Sequence, residues 1–301
     1  MAHSPTVSAR RGQGTPDDPK VNINGLYTAI FSDIQAGKIP LPSLPHLALQ
    51  IRTVARNKNS GFMDLGKVVE TDPGAASYVI KMANSPAFGG RYPAENLKTA
   101  LNRLGGNTLV NVITTYSLKN LFRSKSVVLK KALRDVWISS AQLGATCATI
   151  ARSITKHDPD RALLAGLLAN IGALPLINAA SQRVDLANNP GVIDAVIDRF
   201  SRQVGVMMLQ SWGFDDGLID AVRHRGEWHR DDSLEPDLTD LVLVGGILIR
   251  KSGEDTFEPP ALQNVPAVLK FAKKWPGTDW TPQLLNDLAE DVRKTQDGLG
   301  G

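Results

Sequence analysis

The chain has a single cysteine, Cys147, in 301 residues. That excludes an internal disulfide framework and any zinc site built on several thiolates, and it fits a reducing compartment. Aromatic residues are also scarce, at 6%. The densest basic stretch, Arg123, Lys125, Lys130, Lys131 and Arg134, has no rings interleaved on which bases could stack. The formal charge is only +4, from 34 basic and 30 acidic residues interspersed along the chain. Nucleic acid is therefore not a predicted partner, and the basic stretch reads as a solvated face. Residues 1–20 lack the apolar core of a signal peptide and are expected to form a disordered tail, with a cytoplasmic location as the expectation. The longest uncharged run, 162–182, comes near the ~20 apolar residues of a bilayer span. Asn170, Pro175 and Asn178 inside it would be costly in hydrocarbon, so no membrane span is expected and the run reads as a buried core helix.

Period-two alternation is likewise scarce, whereas apolar residues recur at spacings of three and four. The predicted fold class is all-α. A first helix is expected over 26–35, ending at Gly37, and Pro40, Pro42 and Pro45 break the chain before a helix to about Ala55. Asp72 and Pro73 mark the start of another helix, which Asn84-Ser85-Pro86 stops. Further helices are expected over 96–104, ending at Gly105-Gly106, and from a cap at Asn107. A long helix over 132–154 carries the small-residue stripe Ala141, Gly144, Ala145, Ala148 and Ala151, which lets a neighbour approach closely. Asp160 is the expected cap of the next helix, and Asn188 to Gly191 the next turn. Helices over 192–212, 216–224 and 238–250 follow, then a loop and two candidate helices over 261–274 and 282–294. Trp275 and Trp280, around a turn, are expected to anchor that tail on the core.

Two motifs carry a resemblance. The segment RALLAGLLANIGALPL, residues 161–176, is similar to the Gly-Leu-Leu-His-Asp-Ile-Gly segment of the HD phosphohydrolase superfamily, with Ala169-Asn170 where the metal-binding His-Asp pair stands. The series LPSLP, ETDPGAASYVIKMANSPAFG and ALNRLGG ahead of it resembles the N-terminal part of the HDOD family, the HD-related output domain. The resemblance implies an N-terminal helical lobe over 21–125 packed on a degenerate HD-like helical lobe over 126–250, with a helical tail over 251–301.

Carried over position by position, it places Ser139 where a first His would be, Ala169-Asn170 at the pair, Ser201 and His224-Arg225 at later His positions, and Gly246 at the closing Asp. Only His224 keeps a ligand type, and one imidazole cannot make a hydrolytic centre. The expectation is no metal, no cofactor and no catalysis. His224 and His229 lie five residues apart and are read as loop histidines, Cys147 as a buried structural thiol, and Asp215-Asp216 and Asp231-Asp232 as caps and surface charge. What the resemblance implies is a non-catalytic bacterial signalling module with a protein partner, and with Ser139, Asn170, Ser201 and His224 as candidates for a ligand pocket. The alternatives are a phosphohydrolase with an unusual metal set and a sensor of nucleotide second messengers.

Overall fold

Caps and special backbone positions set most of the helix boundaries. The structure is a computed structural model describing residues 28–29, 32–85, 88, 90–123, 127–155, 157–181, 190–252 and 260–299, and among these there is no strand. Residues 28–29 and 32–35 are helical, within the expected first helix, and helices α1 (His46–Arg56), α2 (Phe62–Glu70), α3 (Pro73–Ala83) and α4 (Leu97–Leu121) follow. Asp72 accepts from the Ala75 amide with Pro73 in the first turn, and Asn96 accepts from the Thr99 amide. The two helices expected on either side of Gly105-Gly106 are both present and run on as α4 across a kink at Gly105, whose φ of 75° is left-handed and whose backbone is not helical. Glycine carries that conformation at little steric cost, so the chain turns from one helix into the next without a loop.

The second group comprises α5 (Val127–Ser153), α6 (Pro159–Leu168), α7 (Ala173–Ser181), α8 (Pro190–Ser211), α9 (Asp216–Arg223) and α10 (Leu238–Ser252), followed by α11 (Pro266–Lys274), α12 (Gln283–Asp287) and α13 (Ala289–Leu299). The cap of α6 is Asp158 and not Asp160: Asp158 accepts from the amides of Asp160 and Arg161 because Pro159 takes the first helical position. The segment over 161–176 is two helices broken at 169–172, not one. Pro190 and Gly191, expected in a turn, already belong to α8. The 261–274 segment opens as a short 3-10 turn, Leu262–Asn264, and the last expected helix is split between α12 and α13. Residues 1–20, 188–189 and 253–259 lie outside the described residues.

Two apolar cores result. The first joins Ile51 of α1, Val69 of α2, Val79 of α3 and Leu109 and Ile113 of α4; the second runs from Leu118 and Phe122 through α5 to α10 and takes in Phe271, Trp280 and Leu299. The small-residue stripe works as expected, since a Cβ on Gly166 would lie 2.5 Å from the Gly144 Cα. Phe271 packs on Trp275 and Trp280 with ring centroids 5.1 Å away in each case, and this cluster within the tail is part of the second core, where Phe271 and Trp280 are buried.

The cores are joined by polar contacts. Thr108 donates to Asp160 at 2.6 Å. Arg52 and Arg56 both donate to the Gly213 carbonyl, at 3.0 and 2.6 Å. The Arg52 guanidinium also stacks 3.7 Å from the Phe214 ring centroid. Trp212 Nε1 donates to the Pro42 carbonyl at 3.0 Å. At the far end, Lys81 and Lys119 donate to the Asp297 and Leu299 carbonyls at 3.0 and 2.9 Å, the favourable place for cations at a helix C-terminus. The segment Pro159–Ala180 is long and apolar enough to cross a membrane, but 89% of its apolar window is buried inside the protein.

Candidate functional site

The break at 169–172 is where the chemistry gathers. Its backbone closes in tight steps, with Ile171 N–H donating to the Leu168 carbonyl at 2.9 Å and Ala173 N–H to the Asn170 carbonyl at 3.0 Å. Gly172 then sits directly on α8: a Cβ there would fall 2.0 Å from the Ser201 carbonyl oxygen and 2.5 Å from the Gly205 nitrogen. Only glycine fits between these backbones. Asn170 and Ser201 are thereby held beside one another.

Arg225, just beyond the end of α9, reaches into this junction. Its Nη1 donates to Asn170 Oδ1 at 2.5 Å and its Nη2 to Ser201 Oγ at 3.0 Å. A guanidinium can only donate, so the amide oxygen must face it. The Asn170 Nδ2 is then free to donate to Ser140 Oγ, at 3.1 Å. One side chain thus links the break, α8 and, through Asn170, α5. Among the described residues the Arg225 Nε is buried without a hydrogen-bond partner. Burial, then the positive charge of Arg250, pull the guanidinium down to about 10, with Asp198 opposing and Arg202 adding to the fall. It still carries its charge at neutral pH.

The structure brings together Asn170, Ser201 and Arg225 of the expected positions. Ser139 is not among them: it is exposed, and Ser140, one residue on, is the buried hydroxyl at the junction. The offset is one of helical register, since adjacent residues on α5 differ by about 100° in direction. Ala169 is fully buried in the second core, and a Cβ at Gly246 would lie 3.6 Å from the Trp228 ring. His224 turns to Glu227, Nδ1 to Oε2 at 2.7 Å, and Glu227 also pairs with Arg202 at 2.5 Å. Burial works against ionisation of Glu227, but the hydrogen bond from His224 and the charge of Arg202 outweigh it and hold the carboxyl below its ordinary value. His229 is exposed.

A divalent metal, which the HD resemblance implies around residues 169–170, does not fit this donor set. Hard cations take carboxylates, and transition metals imidazoles. The groups that meet here are an amide, two hydroxyls and a guanidinium, the last of which repels a cation. No group of three or more His, Cys, Asp and Glu able to hold a metal occurs among the described residues. Cys147 is buried and its thiol is pushed up to about 12 by burial, so it is no nucleophile. A shallow pocket of about 220 Å³, lined by Val54, Phe62, Leu65 and Asn107 among others, lies against the first core and shares no residue with the Arg225 cluster.

A second polar cluster lies outside every motif of the sequence. Asp240, with its side chain fully buried, accepts from Arg230 at 3.1 Å and from Lys270 of α11 at 3.3 Å, while Arg230 also binds Asp237 at 2.7 Å. Asp232 pairs with Arg230 and Asp231 with Lys270, so the Asp231-Asp232 pair belongs to this network, which pins α11 to α10. Asp215 meets expectation, capping α9 through the Leu218 amide and pairing with Arg161. Networks that span well-separated positions leave no periodic trace. The only local hint was the acid-rich run from Asp231 to Asp240 ahead of an apolar helix.

Residues 41–227 match the HDOD domain family, and the chain belongs to it. A curated relative from Treponema pallidum (strain Nichols), uncharacterized, is 22% identical over 253 residues, which is 79% of this chain and 48% of that protein. The chain thus spans about half of that relative's length. Among solved structures, a protein of Shewanella amazonensis SB2B provisionally named a metal-dependent phosphohydrolase superposes with a TM-score of 0.78 at 19% identity, over 92% of this chain and 99% of its own. An HDOD domain protein of unknown function from Geobacter sulfurreducens gives 0.67 at 16%, over 92% and 98%. A protein of Marinobacter aquaeolei VT8 provisionally named for signal transduction gives 0.60 at 19%, over 94% and 68%. At these identities the likeness speaks for the all-α fold.

Proposed function

We propose that this chain is a bacterial signalling output module that works by binding a partner protein and hydrolyses no phosphoester. The observation that carries the reading is the bridge from Arg225 to Asn170 and Ser201, which puts a fixed positive charge at the positions read as former metal ligands. Membership of the HDOD family supports it. The names of the neighbours divide, signal transduction for the Marinobacter protein and hydrolysis for the Shewanella one, and the donor set favours the former here. The lobes proposed over 21–125 and 126–250 share the second core, which takes Leu44, Leu118 and Phe122 from the first of them and Phe271 and Leu299 from the tail. Their junction, at Arg52, Arg56 and Gly213, is where a partner would feel or alter the angle between them.

Two assays test this. Full-length protein supplied with magnesium or manganese should turn over no member of a phosphoester panel; metal-dependent turnover would sink the reading. Immobilised protein should retain the same partner from native extract in repeated experiments, and failure to recover one counts against it. The positive field of Arg225, Arg202 and Arg250 also favours a second reading, a sensor of anionic nucleotides. Calorimetry with cyclic dinucleotides and guanosine polyphosphates decides that one, and no heat at high concentration removes it.

A further inference from the structure

We propose that the Arg225 guanidinium is a resident cation, doing for this fold what a bound metal ion does elsewhere, and that the acceptors Asn170 and Ser201 that hold it form a guanidinium-binding site. The inference rests on the reading of Asn170 and Ser201 as former ligand positions. A coordinated metal contributes to a helical fold by drawing donors from several elements onto one centre. Arg225 does the same with two hydrogen bonds: Nη1 takes the amide oxygen at the 169–172 break, Nη2 takes the hydroxyl on α8, and the amide passes the link to Ser140 on α5.

The geometry suits this cation in particular. A planar fork presents parallel donors from two separate nitrogens, here Nη1 and Nη2, whereas an ammonium offers its three donors from a single atom. The acceptors are neutral, as suits a single delocalised charge with weak hydration, whereas a divalent ion would need carboxylates. Their spacing is set before the cation arrives, since the Gly172 contact with the Ser201 and Gly205 backbones fixes the break against α8. The charged groups around Arg225 are Asp198, Arg202 and Arg250, and Arg202 is itself engaged by Glu227.

The test is chemical rescue in the full chain. Arg225→Ala leaves Asn170 and Ser201 without their donor, and its thermal midpoint should fall by roughly 5 °C or more. Guanidinium chloride at about 20 mM, far below denaturing concentrations, should raise the midpoint of this variant but not that of the wild type. Methylammonium chloride at the same concentration should do neither. A variant as stable as the wild type, or a loss that guanidinium does not restore, overturns the proposal. If Arg225→Ala yields no folded protein, Arg225→Lys is measured; it keeps the charge without the fork, and a wild-type midpoint would refute the idea. Manganese and zinc titrations of the wild type probe the underlying reading separately: stoichiometric uptake would refute that reading whatever the rescue shows.

Discussion

Thr108 and Asp160 form a direct hydrogen bond between the two cores, hydroxyl to carboxylate at 2.6 Å, from the bent helix α4 to the first turn of α6. Burial raises the Asp160 pKa above its ordinary value, the Thr108 bond opposes the rise, Asp158 adds to it and Arg152 opposes it. The folded state therefore holds this proton more tightly than the unfolded chain. Ionisation costs stability above the folded pKa, and acidification recovers it.

Opposite substitutions at this bond should have opposite signs. Asp160→Asn keeps an oxygen for Thr108 and removes the buried charge, so stability at neutral pH should hold or rise by up to about 1 kcal/mol. Thr108→Val leaves the carboxylate without its donor and should cost about 1 kcal/mol. Urea unfolding of both variants at pH 7 checks this; a clear loss in Asp160→Asn would contradict the direction.

Gly172→Ala should be among the most damaging single changes in the chain. The added methyl meets the Ser201 carbonyl oxygen and the Gly205 nitrogen, and backbone atoms of a packed helix cannot swing aside as a flexible side chain can. A loss of about 3 kcal/mol or more is expected. Gly277→Ala, with nothing within 4 Å of its Cβ, is the control and should unfold like the wild type.

Two carboxylates of the Arg230 network answer acid in opposite senses: burial and the charge of Asp237 raise Asp240, which meets Lys270 directly, while Asp237 is lowered. Asp237 resists ionisation through burial, but the Arg230 hydrogen bond, the Asp240 amide and the charges of Arg230 and Lys270 more than offset this and hold its carboxyl below its ordinary value. A depressed folded pKa means a contribution present above the unfolded value and lost as pH falls through the folded one. The share of α11 protection that rests on Asp237 should therefore be lost on acidification into that range, read as protection factors because the intrinsic exchange rate itself falls in acid. Asp237→Asn should show the faster exchange already at pH 7, and unchanged exchange in the variant would refute the link.

The parts of the fold that were legible depend on neighbours in sequence. Asp72 with Pro73, Gly37 and Gly213 stop or start helices by rules that act within one turn, and those boundaries match to within a residue or two. Asp158 displaced Asp160 as a cap because Pro159 fixes which residue can be first in the helix, a two-residue question that composition alone does not settle. In the sequence Arg225 marks only a position that lacks the family's histidine. Its role needs Asn170, 55 positions earlier, and no periodic pattern reports a contact at that separation. What the sequence did hold was a cation in a frame otherwise stripped of carboxylates.

The hold of Lys81 and Lys119 on the carbonyls of Asp297 and Leu299 has a mechanical consequence. Helix α13 lies along α5, while its end is gripped by α3 and α4. The last helix is thus a clasp across the two cores. A change in the angle between the two cores would have to stretch these two lysine contacts as well as the Arg52 and Arg56 contacts to Gly213, so the C-terminal helix ties the same two cores from another side.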